Sequence, residues 1–105
     1  MNEKLTIKAK LFRGFADPTR LSILESLRNG EKSVKEIVQD TEQSQSNVSN
    51  HLSCLLECNL VKRRRDGRSI VYSLRNEKVE ALLEDADAVL TETYREISCC
   101  SKYGE

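Results

Sequence analysis

The sequence predicts a mainly α protein with a β-hairpin wing, a winged helix-turn-helix built as one domain. Three observations predict it. A Ser-capped short helix is followed by a polar turn and a second helix with its own apolar stripe. Asp66-Gly67, a strong hairpin signal, then separates two strand-like runs. Finally, a long stripe of apolar residues at spacings of three and four closes the chain. The predicted order is four helices, a hairpin and a fifth helix, with no internal repeat and no low-complexity linker.

From about Lys4 to Ala16, Leu5, Leu11, Phe12 and Phe15 recur near helical spacing. Asp17-Pro18 starts a second helix, because Asp caps well and Pro suits the first helical position. Leu21, Leu24 and Leu27, with Ile23 beside them, form its expected buried face, and Asn29-Gly30 ends it. Ser33-Val34-Lys35-Glu36 is a capping box for a short third helix that ends near Asp40. Thr41 to Ser44 is the turn, and a fourth helix runs from about Gln45 to Glu57 with Val48, Leu52, Leu55 and Leu56 as its stripe. After Asp66-Gly67, Ile70, Tyr72 and Leu74 alternate with polar or opposite-face residues at strand period. The last helix begins near Asn76 and carries Val79, Leu82, Leu83, Ala86, Leu90, Tyr94 and Ile97. Residues 1–98 form the expected domain, and 99–105 a cysteine-containing tail.

With 105 residues the chain has a modest core, and a homodimer through the terminal helices is the expected source of more. The formal net charge is zero, yet Lys62, Arg63, Arg64, Arg65 and Arg68 cluster while acidic residues crowd the last helix. Such a local basic stripe can bind phosphate on a neutral chain. No apolar run approaches a membrane span, and the first residues lack a signal-peptide core, so a cytoplasmic protein is expected. Four cysteines in a reducing compartment read first as metal or redox chemistry. An acid/base pair, a partnered nucleophile and a phosphate loop are all missing from the sequence, which argues against an enzyme.

At about 100° per residue the fourth helix has three faces. The apolar stripe points to the core. Ser46, Ser49, Asn50, Ser53 and Glu57 point away from it, and Asn47, His51, Cys54 and Cys58 fill the flank. Short polar side chains can bond base edges and phosphates, so Gln45, Ser46, Asn47, Ser49 and Asn50 are candidate DNA contacts. Arg64, Arg65 and Arg68 near the hairpin tip are the candidate wing contacts. Cys54 and Cys58, four apart, share one patch of that helix, and Cys99 and Cys100 lie near the end of the chain. Soft thiolates select soft ions, so this set suggests a metal or oxidation switch.

The stretches Phe15 to Leu24, Ser46 to Leu52 and Asp66-Gly67-Arg68 resemble the ArsR/SmtB family of bacterial metal-sensing repressors, and the likeness runs over nearly the whole chain. That resemblance implies a dimeric winged-helix protein that binds operator DNA in the metal-free form and releases it on metal binding. Ser46 to Val61 is most similar to the cadmium/lead-sensing branch. In that branch two cysteines four apart on the recognition helix join a third from the C-terminal tail. Cys54 and Cys58 match the helix pair and Cys99 matches the tail ligand, while Cys100 is a fourth ligand, an alternative third or a spare. The family's zinc site on the last helix needs histidines, and this chain has only His51, which reads as a structural residue of the helix-turn-helix. Its third-helix thiol sites need cysteines that Val34 to Val38 lack.

The expectation is therefore a repressor that holds double-stranded operator DNA, an imperfect palindrome, as an apo homodimer. Cd(II) or Pb(II) is the expected inducer, with As(III) and Zn(II) less favoured. The alternatives are a thiol-redox-sensing repressor, an As(III)-responsive repressor and a zinc-stapled interaction module.

Overall fold

A computed structural model of the protein describes residues 2–100; of the expected tail, residues 101–105 lie outside the described residues. Asn2 begins the first helix, α1 (Glu3–Ala16), its side-chain oxygen accepting the Leu5 N–H at 2.7 Å. Asp17 then serves two helices, as C-cap of α1 and N-cap of α2 (Pro18–Ser26). Its carboxylate accepts the Arg20 N–H at 3.0 Å, and that bond holds the carboxyl below the usual Asp range. Arg20 reaches back: its Nε donates to the Gly14 carbonyl at 3.1 Å and its Nη2 to that of Arg13 at 3.4 Å. Helix ends leave such carbonyls without partners, so Asp17 and Arg20 together lock the α1–α2 corner.

A 3-10 turn, Leu27–Asn29, continues α2, and Gly30 at φ +124° turns the chain out of it. Then come a two-residue strand, β1 (Lys32–Ser33), and α3 (Val34–Thr41). The capping box forms in both halves: Ser33 Oγ accepts the Glu36 N–H at 3.2 Å, and Glu36 Oε1 accepts the Ser33 N–H at 2.9 Å. Glu42, left-handed at φ +57°, ends α3. Helix α4 runs over Gln45–Glu57, as the sequence predicted, and Ser44 at the end of the turn caps it. The strands β2 (Val61–Asp66) and β3 (Ser69–Leu74) form the hairpin, and α5 (Glu77–Cys99) follows from an Asn76 cap whose oxygen accepts the Lys78 and Val79 N–H groups.

The structure changes three readings. The sheet has three strands in the order β1-β3-β2, because Lys32 and Ser33 pair with Tyr72 and Val71. The central β3 is thus paired on both edges, and its Val71 is buried along with Tyr72 and Leu74. Second, Asp66 pairs with Ser69, so the hairpin loop is Gly67-Arg68. Only Gly67 has positive φ, +64°, the pattern of a type II′ turn, which takes Gly at its first central position. Third, Leu21 is exposed; it lines a recess with Phe12, Phe15 and α5 and does not join Ile23, Leu24 and Leu27 in the core.

The core is a single cluster of α2, α3, α4, the sheet and the first turns of α5, including Ile23, Leu24, Ile37, Val48, Leu52, Leu55, Tyr72, Val79 and Leu83. Leu52 is 1% exposed in the middle of α4. Leu52→Ala is expected to cost about 2–5 kcal/mol. That is a large part of the roughly 5–15 kcal/mol that stabilises a typical domain. Urea unfolding with an unchanged m-value checks it.

Asp40 accepts hydrogen bonds from Lys32 and, at 2.7 Å, from the buried Ser26 hydroxyl; the Lys32 bond is the main reason its carboxyl is held below the usual range. Asp17 and Asp40, both depressed in the fold, contribute stability that is present above their unfolded pKa of about 3.9 and lost as pH falls through their lower folded values. Thermal midpoints measured between pH 6 and pH 2 (roughly spanning this window) should therefore fall on acidification. Asp17→Ala should blunt that fall and lower the midpoint at pH 6 through loss of its cap.

Candidate nucleic-acid interface and thiol site

Helices α3 and α4 pack against each other across the Thr41 to Ser44 turn, and the Ser44 hydroxyl accepts the Asn47 N–H at 3.0 Å to anchor the start of α4. Val48, Leu52 and Leu55 take the buried face. Gln45, Ser46, Ser49 and Asn50 are exposed on the outer face of the first turns, where unpaired N–H groups of the helix end also lie. Asn47 is different: it is half-buried, and its Nδ2 donates to Gln43 Oε1 at 2.8 Å, so its side chain braces the turn. His51 is half-buried, with an Nδ1 that has no hydrogen-bond partner among the described residues.

The wing presents its arginines on two faces. Register pairs Arg63 with Tyr72 and Arg65 with Ile70 on one face, and Arg64 with Val71 on the other. Arg65 and Arg68 are exposed near the tip. Arg64 is also exposed but engaged: its Nε and Nη2 donate to the two carboxylate oxygens of Glu31 at 2.7 and 2.6 Å. This fork pulls the Glu31 carboxyl below the usual range and raises the Arg64 guanidinium. Sequence reading missed Glu31, because nothing in spacing links it to a strand 33 residues on.

All four cysteines are free thiols; Cys54, Cys58 and Cys99 are exposed and Cys100 is partly so. Cys54 lies in the last turn of α4, and Cys58 caps the helix with its N–H donating to the Cys54 carbonyl at 3.0 Å. The two thiols line one recess with Lys10, Arg13, Arg20 and Glu57. Those cations were not foreseen either, since α1 supplies Lys10 and Arg13 and α2 supplies Arg20 to a recess that only the packing of these helices forms. Cys99 ends α5 and Cys100 caps it.

The two thiol pairs do not meet within one chain. Among the described residues no group of three or more His, Cys, Asp or Glu side chains is placed to hold a metal. Helix α1 lies between the pairs, giving Lys10, Arg13 and Gly14 to the recess of Cys54 and Cys58, and Phe12 and Phe15 to the recess that holds Ile97. The donor chemistry of Cys54 and Cys58 fits a soft ion, but two thiols alone do not complete a site for one.

That second recess belongs to a wider apolar surface. Helix α1 buries none of its residues. Leu5, Ile7, Leu11 and Phe12 of α1 and Val89, Leu90, Tyr94 and Ile97 of α5 are all exposed, Phe12 at 55% and Tyr94 at 63%. Arg28 is the polar tie between α5 and the body, donating to Glu25 at 3.0 Å and to Asp87 at 2.8 Å. No helix among the described residues is long and apolar enough to cross a membrane.

Residues 17–63 match the family described as bacterial regulatory protein, arsR family. A protein of Streptomyces lividans named probable mercury resistance operon repressor is 38% identical over 94 residues, covering 90% of this chain and 75% of that protein. The regulator CmtR of Mycobacterium bovis is 44% identical over 66 residues, covering 63% of this chain and 56% of CmtR. Among solved structures, a homodimeric winged helix-turn-helix DNA-binding domain from Mycobacterium bovis superposes with a TM-score of 0.79 at 27% identity, covering 91% of this chain and 92% of that one.

Proposed function

Because the chain belongs to the arsR family of bacterial regulatory proteins, we propose that it is a metal-responsive transcriptional repressor working as a homodimer. The observation that carries the reading is the placement of Cys54 and Cys58. They are exposed thiols on the flank of a helix whose outer face is polar and free, in a helix-turn-helix followed by a basic wing.

In the metal-free dimer the two α4 helices enter successive major grooves of an imperfect palindrome. Gln45, Ser46, Ser49 and Asn50 face the bases, while Asn47 holds the turn that aims them. Arg65 and Arg68 of the wing reach phosphates or the minor groove. The exposed apolar face of α1 and α5 meets its copy, which accounts for an amphipathic α1 with no buried residue. The homodimeric structural relative supports pairing of two copies.

Cys54 and Cys58 would hold the inducer together with Cys99 or Cys100, and α1 between the pairs favours thiols drawn from two subunits. A bound soft ion, Cd(II) or Pb(II), would supply a link between thiolates that α4 and the end of α5 otherwise lack. The mercury-operon name of one relative supports the soft-ion class. The proposed compartment is the bacterial cytoplasm, where thiols stay reduced.

Direct oxidation of the helix pair fits the geometry poorly. Side chains four apart on a helix have Cβ atoms about 5–6 Å apart. A disulfide needs roughly 3.5–4.5 Å. The pair is better suited to sharing an ion.

Titration with cadmium under reductant tests the reading through thiolate charge-transfer absorbance in the ultraviolet. The band is expected to weaken in Cys99→Ser and to vanish in Cys99→Ser, Cys100→Ser combined with Cys54→Ser. A full-strength band after removal of both Cys99 and Cys100 would exclude the end of α5 from the site.

A further inference from the structure

We infer that Glu31 is a carboxylate placed by the fold to neutralise Arg64, and that it sets how strongly the wing grips DNA phosphates. The inference rests on the DNA-binding reading above and adds a determinant of affinity that no helix residue supplies.

Three features place the carboxylate. Gly30 adopts φ +124°, a conformation that L side chains rarely adopt, and so directs the chain from the 3-10 turn into β1. Ser33 then pairs with Val71, and Val71 pairs with Arg64, so these three side chains share one sheet face. Glu31, just ahead of β1, reaches Arg64 on that same face. Lys62, also two residues from Arg64, adds its positive charge beside Glu31.

The contact uses the edge of the guanidinium that a phosphate would need. Arg binds carboxylate and phosphate alike through two parallel N–H donors. In Arg64 the Nε and Nη2 edge is filled by Glu31, and Nη1 donates to the Arg65 carbonyl at 3.3 Å. By contrast, Arg63, Arg65 and Arg68 form no ion pair among the described residues. The Arg64 and Glu31 side chains are 56% and 40% exposed, so DNA can reach the pair and compete for it. The wing thus carries four arginines but delivers fewer charges to DNA than the sequence suggests.

The test is a double-mutant cycle on the full chain, metal-free. The probe is a duplex that the wild-type protein selects from a random library, read by fluorescence anisotropy across a series of salt concentrations. Glu31→Gln is expected to tighten binding, by up to about fivefold for a surface pair. It should also steepen the slope of log K against log salt by about 0.9, one added phosphate contact. Arg64→Gln should remove that added slope in the Glu31→Gln background, and change the slope by less than half as much in the wild type. The inference is overturned if Glu31→Gln leaves the slope unchanged or weakens binding, or if Arg64→Gln lowers the slope equally in both backgrounds. A wild-type protein that shows no salt-dependent duplex binding would instead overturn the DNA-binding reading itself.

Discussion

A protein carrying Cys54→Ser and Cys58→Ser is expected to bind operator DNA as tightly as the wild type and to stay bound when cadmium or lead is added. Both side chains are exposed and outside the core cluster, so their replacement by a near-isosteric hydroxyl leaves α4 folded. They also lie off the outer face of Gln45, Ser46, Ser49 and Asn50, so base contacts survive. What is lost is the coupling between effector and DNA, about 1–3 kcal/mol, or roughly 5- to 150-fold in affinity for ordinary allosteric pairs. Linkage adds a second readout: in the wild type, operator DNA must weaken metal binding by the same factor. Anisotropy of a labelled operator under reductant measures the first, and the thiolate charge-transfer titration with and without operator the second. Release of the double variant by cadmium at wild-type concentrations would remove these thiols from the mechanism.

The combined substitution Phe12→Glu and Leu90→Glu is expected to convert the dimer to monomers and to remove most operator affinity. Both residues are exposed apolar side chains, on α1 and α5, lining one recess. Burying a side chain of this size against a partner is worth about 1.5–3 kcal/mol. Phe12 and Leu90 are 55% and 41% exposed in the monomer, so about half of that remains at each of the four positions of a two-fold dimer, and the loss is on the order of 3–6 kcal/mol before the cost of burying carboxylates. A monomer reads one half-site, and losing the second forfeits an avidity factor of about 10²–10⁴. Sedimentation velocity reads the first effect and anisotropy the second. The folded monomer survives because the core cluster contains neither residue. A variant that remains dimeric would move the interface away from α1 and α5.

Most helix boundaries were legible because they are written locally. Asp17-Pro18 and Ser33 with Glu36 each mark a start through a side-chain bond to a nearby N–H, and both bonds form; Ser44, read only as turn, caps α4 in the same way. Leu21 misled because helical spacing identifies an apolar side and not its neighbour. Its side chain faces α1 and α5, while Leu24 faces the core. β1 was hidden for another reason: two residues carry no periodicity, and only β3 makes them a strand. At the candidate site, the spacing of Cys54 and Cys58 was readable, but the role of Asn47 as a turn brace depends on where the Gln43 side chain lies.

By itself, then, the sequence determined the order of the five helices and the hairpin, the helix-turn-helix with its wing, and the shared flank of Cys54 and Cys58. Caps, turn residues and periodicity act over a few positions, and a few positions are enough to set them. Only the tertiary structure decided that Glu31 occupies Arg64 and that α1 stands between the two thiol pairs. Those contacts join residues far apart in the chain. They follow from how helices and strands pack on the common core, a result that no local spacing encodes.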